Sequence, residues 1–118
     1  RFLAAQETLI SDPYREMVRR SVMEDLIASR AITGALGLWM QASVNAAGLS
    51  LDDMQSNAKI DFSGDMHAGS KAGKTVWSAG QGVGQVQAPE TVADIINALK
   101  AGYAKAVESQ KSGSRYLG

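Results

Sequence analysis

Residues 77–84 read Trp77-Ser78-Ala79-Gly80-Gln81-Gly82-Val83-Gly84, and this stretch decides how the rest of the chain is read. Glycine at every second position cannot propagate a helix at low cost and leaves a strand without side chains to pack. The physical reading is a small turn whose backbone comes very close to something, either a packed helix or a ligand. Trp77 and Ser78 set an aromatic wall and a hydroxyl at the same place. The spacing is only half of a dinucleotide fingerprint, and no ribose-binding acid follows at the usual distance.

On the C-terminal side, Pro89 marks the start of a last helix running to about residue 108. Val92, Ile95, Ile96, Leu99, Tyr103 and Val107 recur at spacings of three and four, the best helical stripe in the chain. The Ser, Gly and Lys residues after Glu108 read as a frayed tail.

On the N-terminal side, residues 49–75 are polar and without a clear period, long for a structureless loop in a compact domain. Ala-Gly-Ser-Lys-Ala-Gly-Lys-Thr at 68–75 fits a relaxed phosphate-loop pattern. A true phosphate loop needs a buried strand before it and a helix after it, and neither is legible here. The stretch reads as a polar loop. His67, flanked by Asp61 and Asp65, is the chain's one imidazole. No helical or strand spacing converges the three on a metal, and His67 reads as a surface residue.

Further out, residues 35–47 read as a helix with Leu36, Trp39, Met40 and residues 43–47 buried, and Gly48 as its stop. Residues 25–32 read as a short strand or extended piece, broken by Thr33-Gly34. Asp12-Pro13 reads as an N-cap and first helical position, opening a helix to about Val22. Tyr14, Met17, Val18 and Ser21 share one side of that helix. Arg15, Glu16, Arg19 and Arg20 make a solvated face, with Glu16 and Arg20 as an i, i+4 pair.

The 118 residues carry 12 basic and 12 acidic side chains and no Cys. Zero net charge gives no nucleic-acid footprint and no polybasic membrane tail. Disulfides, thiolate–metal sites and a Cys nucleophile are excluded. The lack of Cys fits a reducing compartment, and the expectation is a cytoplasmic protein. No apolar run is long enough to span a bilayer. Ala supplies 18 of the apolar residues, while Leu, Ile, Val and Phe supply only 25. A self-contained core built from these is thin. With a first residue that is Arg rather than Met, this leads to the expectation of a piece of a larger protein.

Several segments together resemble one family. Arg-Phe-Leu-Ala-Ala-Gln-Glu at 1–7, Tyr-Arg-Glu-Met-Val at 14–18, the stretch from Thr33 to Leu49, and residues 77–84 occur in this order in flavin-dependent nitronate monooxygenases. These were formerly called 2-nitropropane dioxygenases. The resemblance covers essentially the whole chain and the C-terminal third of a family member. It implies an α/β fold: the C-terminal part of a TIM (β/α)8 barrel flavoprotein with a mostly helical inserted domain, the isolated chain being mostly helical. Residues 1–75 are then the inserted, substrate-side domain, with the end of the last barrel strand at 1–3. Residues 76–118 return to the barrel mouth and form the last barrel helix.

The implied activity is FMN-dependent oxidation of alkyl nitronates with O2 to carbonyl compounds and nitrite. In relatives the turn matched by Ser78, Gly80, Gln81 and Gly82 approaches the flavin and substrate pocket, which gives these four a lining role. Closing the barrel is their structural alternative. A glycine-threonine pair that holds the FMN phosphate would precede Arg1, and the family's catalytic His lies earlier still. The 118 residues therefore carry no catalytic and no metal-binding residue, and alone are expected to be inactive. The implied partners are a nitronate, O2 and the remainder of the same barrel. Related NAD(P)H-dependent quinone and enoyl reductases share the architecture. A competing reading is a non-catalytic helical module that binds a protein partner through helix 35–47 and an exposed Trp39.

Overall fold

The computed structural model describes residues 1–56, 59–60 and 76–114. It is a mixed helix and strand chain in which helix predominates. Helix α1 spans Asp12–Arg20, strand β1 Leu26–Ser29 and strand β2 Gly37–Met40. Helices α2 (Gln41–Ala46) and α3 (Leu51–Gln55) follow, and α4 (Val92–Ser114) closes the chain. Short 3-10 turns form at Phe2–Ala4, Met23–Asp25 and Gln81–Gln85.

The centre of the molecule is a small sheet. β1 and β2 are antiparallel, with Leu26 opposite Met40 and Ile27 opposite Trp39. Residues 76–79 run along the other edge of β2. The Met40 amide donates to the Trp77 carbonyl (2.9 Å), the Ala79 amide donates to the Leu38 carbonyl (3.3 Å), and Trp39 faces Ser78 between them. Because strand side chains alternate, each face collects its own core. Met40 packs with Ala4, Val18, Val83 and Val86, and Leu26 and Trp77 lie against this group. Trp39 packs on the opposite face with Ile32, Val44, Met54 and Val76, joined by Ile27.

This arrangement corrects the helix expected over residues 35–47. Leu36, Trp39 and Met40 fit helical spacing, but residues 37–40 form β2, and only Gln41–Ala46 are helical. The apolar pair Trp39-Met40 feeds two opposite cores, which a strand allows and a single helix face does not. Leu36 is exposed, whereas Trp39 is 7% exposed. Both features offered for a protein-binding module, the helix at 35–47 and an exposed Trp39, are therefore absent. Gly48 does end the helical stretch, at φ +76°, where its missing Cβ matters.

Helix α1 forms where expected, starting one residue earlier and ending at Arg20 rather than at about Val22. Ser11, not Asp12, is the N-cap, its hydroxyl accepting from the Tyr14 amide (3.4 Å), and Asp12 pairs with Arg15 (2.8 Å). Arg15 leaves the solvated face to donate to the Thr8 carbonyl (3.1 Å). Glu16 meets both Arg19 and Arg20 at 2.6 Å. Val18 and Ser21 are buried, and Tyr14 and Met17 half-buried.

Three further differences concern the ends and the polar middle. Phe2–Ala4 turn in a 3-10 helix where a strand end was expected, and none of the described residues pairs with them as a strand. Helix α3 rises from the polar stretch on a capping box: the Ser50 hydroxyl accepts from the Asp53 amide (3.1 Å), and the Asp53 carboxylate accepts from the Ser50 amide (2.7 Å). The Ser50 amide, and after it the Ser50 hydroxyl, hold the Asp53 carboxyl below its ordinary pKa. Helix α4 starts at Val92 rather than Pro89, because Thr91 accepts from the Asp94 amide with its hydroxyl and from the Ile95 amide with its carbonyl. It also continues to Ser114 through the residues read as a frayed tail.

Candidate functional site

The turn at 78–82 is held from three directions. Behind it, buried Ser43 receives the Trp77 amide (2.9 Å) and donates to the Met40 carbonyl (2.8 Å), tying the base of the turn to the start of α2. Beyond it, Val83 and Val86 are buried in the core under α1, and the Val83 amide closes the turn onto the Gly80 carbonyl (3.0 Å). At its side, the Tyr14 ring stacks on Trp77, with centroids 4.8 Å apart and planes 14° from parallel. The Tyr14 hydroxyl donates to the Ser78 carbonyl (2.5 Å).

Ser78, Gly80, Gln81 and Gly82, the four predicted lining residues, come together on one exposed stretch. The Ser78 hydroxyl and the Gln81 amide make no hydrogen bond among the described residues. Gly80 and Gly82 differ from the expectation in an instructive way. A Cβ built on either meets no atom of the described chain within 4 Å, and neither glycine has a positive φ. Within this chain, then, no packed helix and no backbone strain demands glycine at 80 or 82. Gly84 is different again, since a Cβ there makes ordinary contact with Val22 at 3.7 Å.

A small hollow of about 70 Å³ adjoins the turn, between Arg1, Val18, Gly80, Gly82 and Val86. Arg1 is engaged there, its guanidinium gripping Glu90 at 2.7 and 2.8 Å. That pairing raises the Arg1 pKa and lowers that of Glu90. Next to it, Glu7 accepts from the Val92 amide (2.9 Å) and caps α4 from outside. A larger open groove, about 620 Å³, lies elsewhere, between α1 and α2, floored by Met17 and Ala42 and edged by Glu16, Arg20, Gln41 and Asn45. Hydrogen bonds from Arg19 and Arg20 hold the pKa of the Glu16 carboxyl down to about 2. No pattern in the sequence pointed to this groove.

Sequence reading missed the partners that hold the turn. Tyr14 was legible as part of an apolar helix face and Ser43 as a buried position. Nothing local linked either one to residues 77 and 78. The phosphate-loop-like stretch 68–75 and His67 with Asp61 and Asp65 lie outside the described residues. Among the described residues, no cluster of three His, Asp or Glu side chains is arranged to hold a metal ion. No described helix is long and apolar enough to cross a membrane.

Helix α4 completes the surroundings. Ile95 is buried, but Leu99 is 51% and Tyr103 74% exposed, and Val92 and Ile96 are also exposed. The best apolar stripe of the sequence is thus uncovered over most of its length. No protein family, curated protein or solved structure matches this chain.

Proposed function

We propose that this chain is the C-terminal part of an FMN-dependent nitronate monooxygenase built on a TIM barrel, with residues 78–82 forming one wall of its flavin and substrate pocket. The observation that carries the reading is the pair Gly80 and Gly82, which sit on a firmly held turn with open space where their side chains would be. Alternating glycines with no internal reason for being glycine fit a surface against which something outside the described chain lies close. The open space over Gly80 and Gly82 leaves room for a ligand to lie against the backbone, which is compatible with one wall of an FMN site.

When bound, FMN supplies the redox chemistry that oxidises a nitronate with O2. The chain's own residues orient and shield. Gln81 offers both a donor and an acceptor, and the Ser78 hydroxyl offers one of each, for a ring edge or a nitro oxygen. The stacked Tyr14 and Trp77 give the pocket a rigid aromatic flank that keeps water from that side. The uncovered stripe of α4 supports the same reading, because a last barrel helix needs a barrel to lie on. Burying each large apolar residue of the stripe would contribute about 1.5–3 kcal/mol.

The coding sequence upstream of Arg1 tests this reading. An in-frame strand ending in Gly-Thr, preceded by barrel strands and a loop carrying His, is the expected result. A start codon adjacent to Arg1 would contradict it. NAD(P)H oxidation by the intact protein, without nitronate turnover, would assign it instead to the related quinone or enoyl reductases.

A further inference from the structure

We propose that Tyr14 is a positioning residue that sets where the glycine turn sits, so that α1 controls the wall formed by Gly80, Gln81 and Gly82. The inference rests on the reading of that turn as a pocket wall, and the geometry adds a specific device. Trp39 and Ser78 form a pair without mutual hydrogen bonds, since the ladder bonds on either side run through residues 40 and 77 and residues 38 and 79. The Ser78 carbonyl therefore points away from β2, toward the outer edge of the sheet. On that edge the partner is a side chain. The Tyr14 hydroxyl reaches the carbonyl at 2.5 Å, and its ring is steadied by the stack on Trp77.

The position of this bond gives it leverage. The ladder ends with the Ala79 amide, and the next restraint along the chain is the Val83 amide on the Gly80 carbonyl. Tyr14 fastens the last residue pair before the free glycines from the side opposite β2. Docking of α1 does not depend on the phenol oxygen, because Val18 is fully buried and Met17 packs beside it. A Tyr14→Phe change keeps the ring in place and removes only the hydrogen bond.

Amide hydrogen exchange of the intact protein tests this, comparing wild type with Tyr14→Phe. The Ala79 and Val83 amides should exchange roughly threefold to tenfold faster in the variant, the worth of one net hydrogen bond. The amides of Ala47 and Ile95, which bond within or next to α2 and α4, should be unchanged. Unaltered exchange at Ala79 and Val83 overturns the proposal, and so does an equal loosening of all four, which marks a merely structural role. Tyr14→Leu, which also loses the stack, should enlarge the same local effect. A separate FMN titration of the intact protein tells the two ideas apart. Local loosening with unchanged FMN affinity supports the positioning role and removes residues 80–82 from the FMN wall, whereas loosening with weakened affinity supports both.

Discussion

Gly37 and Gly82 occupy opposite situations, and the contrast separates a glycine this fold needs from one it does not need. Gly37 lies in β2 beneath the indole of Trp39, which crosses it to donate from Nε1 to the Ser29 carbonyl (3.3 Å). A Cβ on Gly37 would come within 3.1 Å of that ring. Its glycine is fully explained by the interior. Gly82, on a turn tied down by Val83, Ser43 and Tyr14, would place a Cβ in open space. The same residue type thus meets internal crowding at one position and open space at the other.

The contrast can be broken first at its strongest point. Trp39→Ala removes the side chain that crowds Gly37 and empties the core shared with Ile32, Val44, Met54 and Val76. Chemical denaturation should show a loss of about 3–5 kcal/mol. Gly37→Ala should cost less, about 1–3 kcal/mol, as overpacking against a ring that cannot retreat without breaking its bond to Ser29. If Gly37→Ala melted like wild type, the explanation of Gly37 would fail.

How much of this was legible in the sequence follows from the range of the interactions concerned. The existence of α1 and the stop at Gly48 were readable because helix-opening residues and positive φ are local, although the cap itself is Ser11 rather than Asp12. Residues 37–40 were not, since four residues are too few to show a period of two, and Leu36, Trp39 and Met40 happen to satisfy helical spacing. What makes them a strand is pairing with Leu26–Ser29 on one edge and residues 76–79 on the other. The capping box of α3 was present as Ser50 and Asp53 but was hidden inside a stretch read only for its polarity. For α4, periodicity showed that a face is apolar and could not show that it is uncovered. Residues 78–84 were read as a small turn whose backbone comes close to either a packed helix or a ligand, and no packed helix of the described chain lies within 4 Å of a Cβ on Gly80 or Gly82.

Gly48→Ala sharpens the comparison from another side. Here backbone conformation alone demands glycine, with no neighbour within 4 Å of a Cβ and φ at +76°. A thermal melt should show a loss of about 1 kcal/mol. Gly82→Ala should have the smallest effect on stability of the series. Without crowding or positive φ, its melting temperature should match wild type or rise slightly, because alanine restricts the unfolded chain by about 0.4–1 kcal/mol.

The measurement that bears most directly on the account is the FMN-to-protein absorbance ratio of the intact protein carrying Gly82→Ala, taken on the folded gel-filtration peak. The expected result is a ratio well below that of wild type at an unchanged melting temperature, since on the proposed reading the added methyl enters the space of the flavin. A wild-type ratio in the variant, or a melting temperature lowered as far as that of Gly37→Ala, would contradict the claim that this turn is shaped for something outside its own fold.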